Sequence, residues 1–171
     1  GEAAKASGAR IVFSCGFDSI PFDLGVFFLQ QAAQEKIGGV VSRIKGRVRS
    51  MQGTFSGGTL ASFKATMAAA AKNPEMINVL MNPFALTEGF TGPEQPSGFA
   101  PIYEEDLGSW SAPFVMATIN TKNIHRSNLL LDHAYGENFV YDEMLLTGPG
   151  DSGEAIANAV AADKSMAENP I

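Results

Sequence analysis

Hydrophobic residues recur along this chain at two spacings, and each spacing predicts one kind of element. Short apolar runs and period-two alternation predict strands near 10–14, 40–51, 102–107 and 138–146. Apolar residues three and four apart predict helices over about 18–36, 60–72, 76–80, 113–133 and 154–166. This order of elements indicates an α+β fold, with a mixed, largely antiparallel sheet and helices packed mainly on one face.

The predicted first helix has a recognisable beginning and end. Asp18 or Ser19 can accept hydrogen bonds from the free N–H groups of the first turn, and Pro21 is tolerated there. Asp23 places negative charge where the helix dipole favours it, and Gly38-Gly39 ends the helix.

The chain of 171 residues is long enough for one domain with its own core. Residues 1–9 have no initiator Met and no apolar signal core, so we interpret them as an edge or linker, and 10–171 as a single domain. Prolines and glycines crowd 82–112, which predicts a long irregular segment; loops of that length are usually functional or mobile.

Composition excludes several classes of protein. The net charge of −6 argues against general nucleic-acid binding, and no apolar run approaches the ~20 residues that cross a bilayer. The single cysteine, Cys15, excludes an internal disulfide framework and a cysteine-based zinc site, and it favours a cytoplasmic setting. No metal site is expected.

The charge is unevenly distributed. Residues 36–74 carry seven bases and no acid, a local excess that suits a small anionic ligand or an acidic partner protein. Arginine and lysine alternate with apolar residues in the predicted strand 40–51, which gives it one basic face. The alternative for this face is a solvated edge that blocks aggregation.

Two glycine-rich segments have the composition of phosphate-binding loops. Ser56-Gly57-Gly58-Thr59 precedes a predicted helix, where backbone N–H groups can hold an anion; a plain tight turn capped by Ser56 is the alternative. Residues 148–153 match G-x-G-x-x-G literally, but Asp151 and Pro149 do not suit a pyrophosphate. We interpret 148–153 as an ordinary loop with a helix cap.

The predicted helix 113–133 carries a polar patch at Asn120 and His125-Arg126. His125 and His133 lie about 12 Å apart along its axis, so they cannot share a metal. His125 is a candidate proton donor, with a hydrogen-bonded structural role as the alternative. Cys15 precedes a helix N-terminus, which can lower a thiol pKa, but the apolar run before it favours a buried, inert thiol.

Several segments together resemble one family. The run Cys15 to Gly25, CGFDSIPFDLG, is similar to the C-G-F-D-S-I-P-x-D-L motif of saccharopine dehydrogenase-like oxidoreductases, a group that includes trans-acting enoyl reductases. Further matches follow in the same order along the chain, at 56–59 (SGGT), 113–117, 126–128 with 135–136, and 139–143.

The resemblance implies a two-domain enzyme, in which an N-terminal Rossmann domain binds NAD(P) and an α+β domain binds substrate and often mediates dimerisation. No Rossmann glycine loop precedes Arg10, so we expect this chain to be the substrate domain. Alone it should bind no cofactor and transfer no hydride. Its expected partners are the N-terminal Rossmann domain, a second copy in a homodimer, and a small anionic or acyl-type substrate.

In that arrangement the turn Cys15, Gly16 and Phe17 would face the cofactor cleft. The candidate substrate-binding residues are Asp18, Ser19, Ser56, Gly57, Gly58, Thr59, Asn120 and Arg126. His125 is a weak catalytic candidate. The alternative function is a non-catalytic oligomerisation or carrier-protein interaction module, with the basic strand docking an acidic carrier. The choice between NAD and NADP stays open.

Overall fold

A computed structural model describes residues 1–52 and 57–163, and its strands form one four-stranded sheet. The strands are β1 (Arg43–Val48), β2 (Ile102–Glu104), β3 (Ser109–Pro113) and β4 (Val140–Gly148). Their order across the sheet is β1-β4-β3-β2. Strand β1 runs parallel to β4, while the β4–β3 and β3–β2 pairings are antiparallel. The predicted mixed, largely antiparallel sheet is confirmed.

Helices cover mainly one face of this sheet, as predicted. They are α1 (Glu2–Ser7), α2 (Ile20–Ile37), α3 (Gly57–Lys72), α4 (Glu75–Met81), α5 (Ala117–Leu130) and α6 (Gly150–Ala162). Helix α2 packs on α5, α5 packs on β4, and α6 packs on β3 and β4. No helix in the described part of the chain is long and apolar enough to cross a membrane.

The core lies between α2, α5 and strands β1 and β4. It is built from Val26, Ile44, Ile124, Tyr135, Phe139 and Tyr141. Gln30 of α2 fixes the connection into β1, because its side chain donates to the Val41 carbonyl (2.8 Å) and accepts from the Val41 N–H (2.9 Å). Helix α2 is thereby fixed to the segment that leads into β1.

The irregular segment before β2 bonds the first part of β4, which β3 does not reach. Gln95 Oε1 accepts the Tyr141 N–H (2.9 Å), and its Nε2 donates to the Phe139 carbonyl (3.3 Å). A single side chain therefore satisfies backbone groups that a neighbouring strand would otherwise satisfy. Part of the predicted long loop is thus a fixed structural element.

The predicted strand at 10–14 is wrong. The segment has no strand geometry, Ser14 has φ 57°, and Phe13 is 85% exposed. An apolar run becomes a buried strand only where another strand pairs with it, and no described strand does so here. The apolar side chains of this segment are therefore exposed at the surface.

Three further boundaries differ from the predictions. Strand β3 falls where the sequence predicted irregular chain and the start of a helix. Helix α5 is correspondingly shorter than 113–133, because β3 ends at Pro113 and the positive φ of Asp132 (54°) and His133 (57°) stops the helix. The last helix, α6, begins at Gly150, four residues before its predicted start.

Gly46 of β1 lies where no larger residue fits. A Cβ there would stand 2.5 Å from the Tyr141 hydroxyl and 2.8 Å from Glu143 Cγ on β4. We expect Gly46→Ala to lower the free energy of unfolding by about 1–3 kcal/mol through overpacking, measured by urea denaturation. Gly25→Ala is the matched control. Gly25 has open space around its Cα within α2, so alanine should stabilise there by about 0.5–1 kcal/mol. Equal effects at the two glycines would contradict the packing described.

Candidate functional site

Asn120 of α5 connects three elements through buried hydrogen bonds. Its Oδ1 accepts from the Ser19 hydroxyl (2.8 Å), and its Nδ2 donates to the Asp18 carbonyl (2.9 Å) and to Glu143 Oε2 (2.9 Å). Asp18 and Ser19 precede α2, and Glu143 lies on β4. Three of the candidate residues, Asp18, Ser19 and Asn120, are therefore brought together, although they are about 100 positions apart in sequence.

Glu143 is the residue of this cluster that sequence reasoning missed. It is 1% exposed, and its Oε1 accepts the Tyr141 hydroxyl (2.8 Å). Burial raises the pKa of Glu143 to about 7, and the bonds from Asn120 and Tyr141 only partly oppose that rise. Its position two residues after Tyr141 was an available signal, because alternate strand residues share a face and Tyr141 belongs to the core.

The turn that opens α2 is fixed by its own backbone. The N–H groups of Ser19 (3.1 Å) and Ile20 (3.0 Å) both donate to the Gly16 carbonyl. The Asp18 carboxylate folds back beside Gly16, so a larger residue at position 16 would require the Asp18 side chain to move. Cys15 and Phe17 lie on the outer side of the same turn, and both are exposed. The prediction that Cys15 is buried is wrong, because the run before it is not a core strand.

Exposed apolar side chains lie on both sides of this turn along the chain, and we call this set the apolar face. It consists of Ile11, Val12, Phe13 and Phe17 from the segment before α2, and Ile20, Leu24, Phe27 and Phe28 of the helix. Phe17 is 80% exposed, and the four residues on α2 recur at helical spacing. So many exposed apolar side chains within 18 residues of a folded protein indicate an interaction site.

His125 lies apart from the Asn120 cluster. It is 3% exposed and contacts the rings of Phe84 (centroids 4.5 Å apart) and Phe139 (6.1 Å). Burial lowers the pKa of His125 to about 4, so the imidazole is neutral near pH 7. Its Nε2 is buried with no hydrogen-bond partner among the described residues. A neutral ring held between aromatic side chains fits a structural role better than that of a proton donor.

The remaining candidate residues are not brought to the cluster. Arg126 lies on α5 about one and two-thirds turns beyond Asn120, and its guanidinium donates to the Leu86 carbonyl (3.0 Å). Gly57, Gly58 and Thr59 form the first turn of α3, which packs mainly on α4. Ser56 falls outside the described residues.

The basic face of β1 is paired with acids of the same chain. Arg43 bonds Asp142, Lys45 bonds Glu104 (2.9 Å) and Asp106 (3.0 Å), and Arg47 bonds Glu104 (2.5 Å) and Asp142 (2.9 Å). Burial alone would raise the pKa of Glu104, but the bonds from Lys45 and Arg47 outweigh it and lower that pKa. Three cations and three carboxylates therefore form a neutral network on the face opposite Glu143.

The G-x-G-x-x-G match has a packing explanation. Gly148 ends β4 with φ 106°, Gly150 begins α6 with φ 61°, and a Cβ at Gly153 would run into the Gly148 carbonyl. The glycines allow α6 to turn back closely onto the strand. The predicted loop with a helix cap is wrong in its details, because residues 150–153 already belong to α6 and no side chain caps its start. In the part of the chain that the structure describes, no group of three or more acidic, histidine or cysteine side chains could hold a metal ion.

Comparison with known proteins shows similarity over most of this chain to proteins named trans-acting enoyl reductases. One from Mycobacterium ulcerans is 36% identical over 156 residues, which is 86% of this chain, and one from Mycobacterium bovis is 35% identical over 169 residues, or 93%. A Mycobacterium tuberculosis protein with the same activity in its name is 40% identical over 156 residues. These homologues support a relation between this chain and the trans-acting enoyl reductase family.

The chain spans only part of each of these trans-acting enoyl reductases. It covers 37% of the length of the relatives from M. tuberculosis and M. ulcerans and 40% of the relative from M. bovis. No family model matches the sequence, and no solved structure matches it.

Proposed function

We propose that this chain is the substrate-binding part of an NAD(P)-dependent enoyl reductase of the saccharopine dehydrogenase-like type. Its relatives carry the enoyl reductase name and are more than twice as long as the matched region, which leaves room for a nucleotide-binding domain. The substrate is then an α,β-unsaturated acyl group.

The apolar face is the observation that carries this proposal. Its residues lie on both sides of the Cys15–Phe17 turn along the chain, and we assign that turn to the cofactor cleft. A domain that folds as part of a larger enzyme exposes such a surface when its neighbour is absent. We assign the nucleotide-binding domain as its occupant, with the homodimer contact as a further proposal for the same chain.

The turn suits the nicotinamide end of a dinucleotide better than its phosphates. Cys15 and Gly16 are small, and the exposed ring of Phe17 offers a flat apolar surface for another ring. The Asp18 carboxylate lies beside Gly16, where it would repel a pyrophosphate and attract the positive ring of the oxidised nicotinamide. NAD(P)H, when bound, supplies the hydride of the reaction.

Reduction of an enoyl group adds a hydride at the β-carbon and a proton at the α-carbon, and negative charge develops on the acyl oxygen between these steps. Hydrogen-bond donors fixed beforehand around that oxygen lower the barrier. In this proposal Asp18, Ser19 and Asn120 shape the substrate side of the cleft. Gly57–Thr59 and Arg126 are proposed to contact more distant parts of the acyl group.

The test compares this chain with the same chain extended upstream by about 130 residues, a typical domain length. We expect the extended chain to bind NADPH or NADH and to reduce an enoyl thioester, followed by nicotinamide absorbance. This chain alone should do neither. Cofactor binding by the short chain would overturn the assignment of roles.

A pair of variants in the extended chain tests the apolar face. Phe13→Asp should weaken domain association and lower the reductase rate by about tenfold or more, because a charge would be buried in the contact. Ile156→Asp is the matched control, since Ile156 is exposed on α6, away from the turn. A Phe13→Asp enzyme as active as the control would remove the main support for this interface.

The alternative function, a non-catalytic interaction module, receives less support. In that alternative β1 would dock an acidic carrier, but its basic residues Arg43, Lys45 and Arg47 are already paired with acids of the same chain. A molar mass by light scattering separates the remaining possibilities. A dimer of the short chain that Phe13→Asp dissociates would favour the module and the homodimer contact over the two-domain enzyme.

A further inference from the structure

Asn120 uses its side-chain donors entirely inside the protein. Its Nδ2 carries two hydrogens, and it donates to two acceptors, the Asp18 carbonyl (2.9 Å) and Glu143 Oε2 (2.9 Å). Its Oδ1 accepts from the Ser19 hydroxyl (2.8 Å). Asn120 is also 1% exposed. It therefore has neither a free donor nor an open surface for contact with a substrate oxygen.

The bonds of Asn120 are the long-range polar connection of the turn at residues 15–19. In residues 1–52 and 57–163, every other hydrogen bond of this turn goes to a residue between 12 and 23. The preceding segment, 10–14, pairs with no described strand. Without the Asn120 bonds, the turn would be held only by its own hydrogen bonds and by the start of α2.

We infer that Asn120 is a positioning residue, which holds the turn at residues 15–19 in place rather than contacting the substrate. This role deepens the proposed function and rests on it for its importance, because the turn is the segment assigned to the cofactor cleft. Asn120 then shapes the cleft through the turn, and a donor to the acyl oxygen has to come from another group.

The direction of the Asn120 amide is fixed by its partners. The Asp18 carbonyl can only accept, so a turned-over amide would set Oδ1 against it with no hydrogen between the two oxygens. Glu143 takes the second Nδ2 hydrogen, and its other oxygen bonds the Tyr141 hydroxyl (2.8 Å). That hydroxyl can donate or accept, so Glu143 can serve Asn120 with or without a proton. The arrangement needs an acceptor beside Asn120, not a charge.

Amide hydrogen exchange, followed by NMR at constant pH, measures how firmly the turn is held. The backbone N–H groups of Ser19 and Ile20 donate to the Gly16 carbonyl, so their exchange reports local opening of the turn. In the wild-type chain both should be protected. The Asn120 side-chain amide should be protected as well, because both of its hydrogens are bonded in a buried site.

Asn120→Asp should release the turn. The new side chain has nearly the same size, but it sets an oxygen against the Asp18 carbonyl and Glu143, where the amide now donates. We expect the two turn amides to exchange about tenfold faster or more, because buried acceptors lose their donor. The amide of Gln30, further along α2, should change much less.

Two variants serve as controls. Asn123→Asp makes the same substitution on the same helix, at a side chain whose Nδ2 has no hydrogen-bond partner among the described residues. Glu143→Gln keeps an acceptor for Asn120 and can donate to the Tyr141 hydroxyl oxygen. In both variants the exchange of the two turn amides should stay within about twofold of the wild type.

Unchanged exchange of the turn amides in Asn120→Asp would overturn the inference. Equal acceleration at Gln30, or in either control variant, would do the same, because it would show a general loss of stability. If Asn120→Asp does not fold, Ser19→Ala replaces it, and the loss of one bond to Asn120 should still speed exchange at Ile20 several-fold. Exchange is measured without cofactor or substrate, so a failure here is distinct from a failure of the proposed function.

Discussion

Replacing Arg47 with methionine should lower the free energy of unfolding by about 3–5 kcal/mol, the largest single-residue loss we expect in this chain. Arg47 is 7% exposed and bonds Glu104 and Asp142, both of which are buried. Its removal leaves two buried carboxylates with fewer partners, and their desolvation is no longer offset. Urea denaturation at neutral pH measures the effect.

Lys45→Met is the matched control, since it also removes one cation from the same face of β1. The Lys45 side chain is 36% exposed, and water screens its bonds to Glu104 and Asp106. We expect a loss of only about 0–1 kcal/mol. Similar losses in the two variants would mean that the network contributes through its surface charges rather than through the buried arginine.

The cost of Arg47→Met should also depend on pH. In the native chain the pKa of Glu104 is lowered from 4.5, so its stabilising contribution is present above about pH 4.5 and is lost as the pH falls through the lowered value. Without Arg47 the carboxylate takes up its proton at higher pH. The difference between variant and wild type should therefore shrink on acidification below about pH 4.5, and a constant difference would contradict this assignment.

These ion pairs show what a sequence pattern could not supply. The alternation in 40–51 predicted β1 and its basic face, and the structure confirms the strand. The partners of that face lie 57 to 61 positions away on or near β2, and 95 and 99 positions away on β4. Which strands become neighbours depends on the order of the whole sheet, so local periodicity could not show that the basic face is neutralised.

Only part of the cluster around Asn120 could be predicted from the sequence. The residues Asp18 and Ser19 predicted where α2 starts, but the predicted side-chain cap is wrong, because no side chain caps the helix and the Ser19 hydroxyl bonds Asn120 instead. The polar patch on the predicted helix singled out Asn120. Glu143 was missed because an acidic residue in a strand resembles a surface residue until the face of each position is known. The strand predicted at 10–14 was wrong for a different reason. An apolar run indicates that burial is favourable, but it does not show which part of the protein covers it.

Glu143 and His125 should affect the pH dependence of stability in opposite directions. The pKa of Glu143 is raised from 4.5 to about 7, so the folded chain binds that proton more tightly than the unfolded chain. Its favourable contribution is complete below about pH 4.5 and is lost as the pH rises to about 7, a change of about 3 kcal/mol. The group is almost fully buried, so solvent does little to screen this effect.

His125 has the opposite effect on how stability changes with pH. Its pKa is lowered by burial from 6.5 to about 4, so the folded chain binds that proton less tightly than the unfolded chain. Its contribution is complete above about pH 6.5 and is lost as the pH falls to about 4, again by about 3 kcal/mol. Between about pH 4.5 and 6.5 each group contributes a slope of up to about 1.4 kcal/mol per pH unit, and the two slopes oppose each other.

The wild-type chain should therefore show a nearly flat stability profile over that range, and each single variant should reveal the group that remains. His125→Leu should become more stable on acidification, because only Glu143 then titrates. Glu143→Gln should become less stable, because only His125 does. Urea denaturation at a series of pH values measures both, with Glu137→Gln as the exposed-carboxylate control. Flat profiles in both variants would show that neither group exchanges protons on folding, and the network around Asn120 would then have no part in the pH response of the chain.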